Sequence, residues 1–283
     1  MRRWAAAALL ALAGAPTLAQ QAEPVGGQTA DTVFRWSGTA SQGGLIHITA
    51  PAGTTAITLD GVAVPLDGRD GLIGFDRDAG PDATLTATFA DGHSVSQHIA
   101  VAPRAWRIER LDTLPRFPAP DPVFAQLRPP ELAQIDAARH RRTDAQGWRQ
   151  RFLWPATGRI SGLFGAQRVY RGEPGSYHGG TDVALPTGTP VRAPADGVVV
   201  LAADTPFTLE GHLLMVDHGM GLSSAFLHLS RIDVRVGDAV RQGQVIGAVG
   251  ATGRATGPHL HWGLRWMDAR LDPMLVAGPM PTR

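Results

Sequence analysis

Two short motifs far apart in the chain, HGGTD at 178–182 and HLH at 259–261, restrict the fold more than any other feature, because each calls for an extended backbone. Gly179 and Gly180 disfavour a helix through the first motif, and the β-branched Thr181 and Val183 favour a strand. On a strand of period two, positions i and i+4 share a face, as do i and i+2. His178 and Asp182 are therefore expected on one side of a sheet, and His259 and His261 likewise. His212, His218 and His228 lie between them, so this stretch holds six of the ten histidines. Two imidazoles and one carboxylate are a common ligand set for catalytic zinc, which keeps its fourth position for water. Other histidines of the cluster are then free for proton traffic. The chain has no cysteine, which excludes thiolate sites and leaves a metal with N and O ligands.

A length of 283 residues suits two modest domains, and 43% hydrophobic with 18% charged residues is ordinary for globular protein rather than disorder. The formal net charge of +1 and the lack of a dense basic run argue against nucleic acid as a partner. All 26 basic residues are arginine.

At the start, Arg2 and Arg3 precede an apolar run from Trp4 to about Ala13, and small residues follow around Thr17, Leu18 and Ala19. This order reads as a secretory signal peptide over residues 1–19. The run is too short for a permanent anchor and no later stretch approaches the required length, so no integral membrane segment is expected after cleavage. The mature chain is expected outside the cytoplasm, starting near Gln20. Without disulfides, its stability must come from core burial, to which a bound metal can add.

Residues 23–103 read as a small β-sandwich, with strands at 34–37, 45–49, 56–59, 83–89 and 95–101 and turns at Asp60-Gly61 and Asp91-Gly92. His47, His93 and His98 have no carboxylate at ligand spacing there and are read as surface or strand histidines. Residues 104–150 form a connector whose prolines at 115, 118, 120, 122, 129 and 130 rule out a regular helix or central strand in its first half. A short helix is expected from Glu131 to about Thr143, with proline in its first turn and Glu131 near its positive end. His140-Arg141-Arg142 reads as a solvated face at the helix C-terminus. A second, antiparallel β domain spans 151–275, with strands at 191–201, 212–217, 222–229 and 245–249, before a tail at 276–283. Its segments TPVRAPADGVVVLA and VRVGDAVRQGQVIGAVGATG resemble hairpins of lipoyl or biotin carriers. A carrier needs a lysine, and the chain has none, so they are scaffold.

HGGTDVALPTGTPVRAPADGVV, DHGMGLSSAFLHLS and VGDAVRQGQVIGAVGATGRATGPHLHWGL together resemble the M23 family of zinc metallopeptidases, the lysostaphin or LytM-like peptidoglycan endopeptidases. The likeness covers roughly Trp154 to Asp272. QGGLIHITAP and VAPRAW are similar to the β domain that accompanies this module in proteobacterial members. The resemblance implies an antiparallel β fold with a groove over the sheet, export to the periplasm or cell wall, one zinc per chain, and peptidoglycan stem peptides as partner. It also implies His178, Asp182 and His261 as metal ligands and His228 and His259 as catalytic residues. His259 is then the general base for the zinc-activated water, and His228 bonds the water or the developing oxyanion; the two roles are interchangeable at this level. His212, His218 and Asp217 fall on no motif position. Thr252, Gly253, Thr256 and Gly257 shape the loop entering the HLH strand, and Arg254 is read as solvent-exposed. A catalytically silent wall-binding protein or activator of another hydrolase, and a purely structural zinc domain, are the alternatives. The first would lack motif residues that are all present, and the second would close its site with a fourth protein ligand. The bond cut, and whether the N-terminal domain or connector lies across the groove, are open.

Overall fold

The computed structural model describes residues 32–112 and 122–281. The signal-peptide segment 1–19 and Pro115, Pro118 and Pro120 of the connector lie outside the described residues.

Seven strands build the N-terminal half: β1 (Arg35–Gly38), β2 (Leu45–Thr49), β3 (Thr54–Leu59), β4 (Val62–Val64), β5 (Asp70–Gly74), β6 (Asp82–Phe89) and β7 (Ser94–Ala100). They form two sheets, ordered β1-β2-β5 and β4-β3-β6-β7, packed face to face. Alternation drives this arrangement. Ala83, Leu85 and Ala87 of β6 point inward while the residues between them do not, so one face meets Ile46, Ile48 and Leu72 in a common core. Asp60 and Gly61, both at positive φ, make the turn between β3 and β4. The strands β4 and β5 exceed the sequence expectation: β4 is three residues long, and β5 carries Gly71 and Gly74, which weaken a strand signal.

The connector departs from its sequence reading. It contributes β8 (Ile108–Leu111) and then α1 (Pro122–His140), which runs straight through Pro129 and Pro130 rather than starting after them. Those prolines remove two helix donors, and the helix persists because tertiary contacts outweigh that loss. Ile135 and Ala138 are buried among Val200, Leu213 and Met215. Arg128 makes a fork to Glu210 at 2.6 and 2.8 Å. Glu131 is not near the positive end of the helix but buried in its middle, where it accepts from the Thr208 backbone N–H and hydroxyl, each at 2.6 Å.

The C-terminal half comprises β9 (Arg159–Gly162), β10 (Gln167–Tyr170), β11 (Glu173–Pro174), β12 (Thr181–Ala184), β13 (Pro190–Arg192), β14 (Gly197–Ala202), β15 (His212–Asp217), β16 (Leu222–Leu229), β17 (Arg231–Ile232), β18 (Ala239–Val240), β19 (Val245–Ala248), β20 (His259–Trp266), β21 (Ala269–Leu271) and α2 (Pro273–Ala277). Its main sheet runs β18-β14-β15-β16-β20-β12-β9, with β21 against β20, and every pairing in it is antiparallel. The single strand expected at 191–201 is two strands in different sheets, because Pro194 interrupts the ladder between them. On β20 the buried residues Leu260, Trp262, Leu264 and Trp266 alternate with His259, His261, Gly263 and Arg265. Leu227 lies opposite His261, and both Leu227 and Ala225 pack on the apolar cluster under α1, so the helix covers the same face that carries the histidines. The described part of the expected tail returns to the domain: Trp154 donates to the Gly278 carbonyl at 2.9 Å, and just before it Asp272 caps α2 through the Met274 N–H. No helix among the described residues is long and apolar enough to cross a membrane.

The two halves share one continuous apolar core. Both faces of β5 are buried, one inside the sandwich and the other against β20 and β21. A Cβ at Gly74 would lie 2.9 Å from both Leu271 and Trp266, so this seam admits only glycine without rearrangement. Gly74→Ala is expected to destabilise the chain by about 1–3 kcal/mol through overpacking. Urea unfolding followed by circular dichroism and by tryptophan fluorescence should still show one coincident transition; two separated transitions would refute the shared core.

Candidate metal centre

His178, Asp182 and His261 converge although they come from different kinds of backbone. Asp182 on β12 lies directly opposite His261 on β20, which puts the two side chains next to each other on one face. His178 is not on that strand, contrary to the sequence expectation, since β12 starts only at Thr181. It is held instead by a loop: its N–H donates to the Ala166 carbonyl at 2.8 Å and its own carbonyl accepts from Gly165 at 2.9 Å. The glycine pair 179–180 lets the chain turn from this loop into β12.

The ligand atoms form a tight triangle. His178 Nε2 is 3.1 Å from Asp182 Oδ1 and 3.1 Å from His261 Nδ1, and His261 Nδ1 is 2.9 Å from Asp182 Oδ1. A tetrahedral ion with bonds of about 2.0–2.2 Å separates its ligand atoms by about 3.3–3.6 Å, so an opening of the triangle by a few tenths of an ångström would set the three atoms at three corners of such a site. The Nδ1–H of His178 donates to the Leu163 carbonyl at 3.0 Å, which fixes the tautomer and leaves Nε2 with a free lone pair. Among the described residues no fourth histidine or carboxylate completes the group, so one side stays open. Two glycines make the room. A Cβ at Gly162 would lie 2.3 Å from Asp182 Oδ2, and one at Gly180 would lie 2.7 Å from His261 Nε2. Burial opposes ionisation of Asp182, but when the rings of His178 and His261 carry a proton toward it their hydrogen bonds outweigh that cost and hold the carboxyl far below the usual carboxylate range. Burial depresses the His261 imidazole. It acts the same way on His178, where the bond to Asp182 reverses the sign and raises it. A ready carboxylate between two imidazoles fits a divalent cation with N and O preferences.

His228 and His259 flank the triangle, their rings 4.8 Å apart. His259 Nε2 is 3.9 Å from Asp182 Oδ1. Both rings are oriented through Nδ1–H, His259 to the Gly257 carbonyl at 2.8 Å and His228 to the Thr252 carbonyl at 2.9 Å. Each therefore presents a bare Nε2. His228 sits at φ +63° where the β15–β16 register shifts, a strained conformation for a residue with a Cβ. Burial pushes its imidazole down to about 4. Thr252 and Gly257, read from sequence as loop formers, are thus the residues that aim the two imidazoles. Thr252 is itself fixed, its hydroxyl donating to the Leu229 carbonyl and accepting from the His212 N–H.

The remaining candidates have structural roles. His212 donates to the Ala203 carbonyl, and Asp217 accepts from the Thr143 N–H and hydroxyl. His218 is buried, held by the Asp196 carbonyl and the Ser224 hydroxyl, each at 2.8 Å. The Arg254 N–H bonds the Leu209 carbonyl. His47 stacks on Trp148, His98 meets Thr84, and His93 pairs with Asp91. A cavity of about 350 Å³ between the halves, lined by Trp36, His47, Asp70, Trp148 and Arg149 among others, shares no residue with the triangle. Gly162, the room that Gly180 leaves beside His261, and the Leu163 and Ala166 carbonyls were not found from sequence, because backbone acceptors and the need for an absent side chain leave no spacing signal.

The model of peptidase family M23 matches residues 176–273, a span that holds all five of these side chains. The chain is 43% identical over 135 residues to the peptidoglycan DD-endopeptidase ShyA of Vibrio cholerae, covering 46% of this chain and 30% of that one. It is 42% identical over 127 residues to the DD-carboxypeptidase/endopeptidase Mpg of Neisseria meningitidis, covering 44% and 28%. The chain thus spans under a third of the length of these curated relatives. A crystal structure from Pseudomonas aeruginosa described as a peptidase M23 superposes with a TM-score of 0.66 at 31% identity, covering 85% of this chain and 96% of that one.

His218 gives the pH test of this architecture. Burial holds its imidazole down at about 4 against an ordinary value near 6.5. Between those values the unfolded chain binds a proton that the folded chain does not. Its contribution is complete above about pH 6.5 and is lost as pH falls through the window to about 4. His218→Gln should therefore flatten the fall in unfolding free energy between pH 6.5 and 4, read from urea midpoints; an unchanged slope would show that His218 takes up no proton on unfolding.

Proposed function

We propose, for a chain that belongs to peptidase family M23, zinc-dependent hydrolysis of the peptide cross-links of bacterial peptidoglycan. The observation that carries this reading is the open-sided triangle of His178, Asp182 and His261 beside two imidazoles with bare Nε2 atoms. His178 Nε2, Asp182 Oδ1 and His261 Nδ1 would hold the metal. When bound, zinc supplies Lewis acidity that lowers the pKa of water from 15.7 toward about 7. His259 takes the proton of the attacking water at Nε2, since its Nδ1–H is committed to Gly257, and then delivers it to the leaving amine. His228, its Nδ1–H committed to Thr252, offers Nε2 as an acceptor that orients the same water. A purely structural metal site would close with a fourth protein ligand, and a silent relative would lack one of these side chains.

The names of the relatives support a DD-endopeptidase, and the resemblance to proteobacterial members favours the bond between D-alanine and diaminopimelate as the one cut. A wall substrate requires export, which the sequence of residues 1–19 favours, to the periplasm or the cell wall.

The test is release of soluble fragments from purified peptidoglycan by the chain from Gln20 to Arg283, with zinc content measured on the same sample. Release abolished by chelator and restored by zinc is expected, and mass analysis names the bond. His261→Ala should lose zinc and activity together. His259→Ala should keep zinc and lose about 10²–10⁴ in turnover, the usual contribution of a general base. Near-wild-type turnover in His259→Ala would remove it from the mechanism.

A further inference from the structure

The hairpin that presents His178 is held less by its own sheet than by the N-terminal half. Leaving β9 at Gly162, the chain runs through Phe164 and Gly165, pairs β10 with β11, and returns through Tyr177 to His178. Beneath it lies the Asp76-Arg77 dipeptide, just past β5. Arg77 is almost wholly buried, with 6% of its surface exposed. Its Nε donates to the Gly165 carbonyl at 2.9 Å, and another guanidinium nitrogen donates to Gln167 Oε1 at 3.1 Å. Gln167 in turn donates to the Gly175 carbonyl at 2.7 Å, closing the hairpin. The guanidinium lies 5.3 Å from the ring centre of Trp106 and 5.0 Å from that of Tyr177, its position fixed by two aromatic rings. Asp76 accepts the Tyr177 hydroxyl at 3.0 Å and the Arg270 N–H at 2.9 Å. Phe164, itself buried, packs where a Cβ on Gly43 would lie 2.9 Å away. β8 runs parallel to β10 as a third strand.

Arg77 is thus two hydrogen bonds from a candidate ligand: Arg77 to the Gly165 carbonyl, and the Gly165 N–H to the His178 carbonyl. Tyr177, the neighbour of His178, is tied to Asp76 directly. We propose that Asp76 and Arg77 are positioning residues of the metal centre, and that through them the N-terminal β domain sets the affinity of the site by fixing the His178 hairpin. Lysine could not replace Arg77, because a point ammonium has neither the planar fork that reaches two acceptors at once nor the flat face that lies between two rings. This inference rests on the reading of His178, Asp182 and His261 as metal ligands.

The experiment compares full-length variants by Zn²⁺ competition against a chromophoric chelator and by the visible spectrum of the Co²⁺ form. Arg77→Ala is expected to weaken Zn²⁺ binding about ten- to a hundredfold, the usual effect of removing a group that orients a ligand, and to alter the Co²⁺ bands. Arg149→Ala is the control. Arg149 also ties the halves together, pairing with Asp67 at 2.8 Å and Asp70 at 3.1 Å, but it touches nothing in the hairpin. It should leave affinity and spectrum unchanged. If Arg77→Ala does not fold, Tyr177→Phe carries the same test more gently, removing only the hydroxyl that Asp76 accepts, with a several-fold loss expected. Wild-type affinity and spectrum in Arg77→Ala, or in Tyr177→Phe where that variant stands in, overturn the inference, as does an equal loss in Arg149→Ala. A wild-type chain that binds neither ion would instead refute the metal-site reading itself.

Discussion

The pairing of β12 with β20 is the constraint on which the site depends. In its observed register Asp182 faces His261 and Val183 faces Leu260, so each apolar residue enters the core as its neighbour enters the site. A slip by one residue would send Asp182 into the core and Val183 to the open face, and the burial of Val183, Leu260 and Trp262 forbids it. The same apolar alternation that folds the sheet therefore fixes a carboxylate beside an imidazole with no dedicated interaction. β9 completes the row: its Gly162 stands beside Asp182 and leaves the carboxylate the space that any side chain would take.

The sheet secures Asp182, His259 and His261, and irregular backbone must deliver the other two groups. His178 arrives on a hairpin, His228 on a bulge in the left-handed region, and the carbonyls of Leu163, Thr252 and Gly257 set the tautomers of three imidazoles. Backbone carbonyls are suited to this. They only accept, so a ring bonded to one through Nδ1 must carry its proton there, and Nε2 is left free. A side-chain partner such as serine could donate or accept and would leave the tautomer undecided.

This division explains how much was legible in the sequence. Alternation in β6, β16 and β20 gave the mainly β architecture, and the motif residues gave the cluster, since periodic patterns and ligand chemistry are written in side chains. What escaped was written in contacts between distant segments. Local rules stop a helix at Pro129 and Pro130, yet α1 passes through both because Glu210 and Thr208, far along the chain, satisfy Arg128 and Glu131. The i to i+4 spacing of His178 and Asp182 suggested one strand face. The two groups do meet, but through a loop whose geometry is set by Gly165, Ala166 and the residues under them. The expected tail likewise folds back, because Trp154 needs an acceptor and finds the Gly278 carbonyl.

The N-terminal β domain reads differently in this light. A module on a flexible tether could bind a surface on its own but could not fix a side chain in its neighbour. Here the tether is ordered from Arg104 to Leu111: Arg104 pairs with Asp272, Trp106 packs on Gly165, and β8 joins β10. The other attachment is apolar, β5 against β20 and β21, and separating it would expose Leu271 and Trp266 to water. In a chain with no cysteine, neither attachment can be a disulfide. Rigidity between the halves must come from packing, as at β5, and from charge-assisted hydrogen bonds, one of which, from Arg77, reaches the His178 hairpin itself. The domain boundary that composition suggests is therefore not a mechanical boundary, and the geometry of the site depends on both halves together.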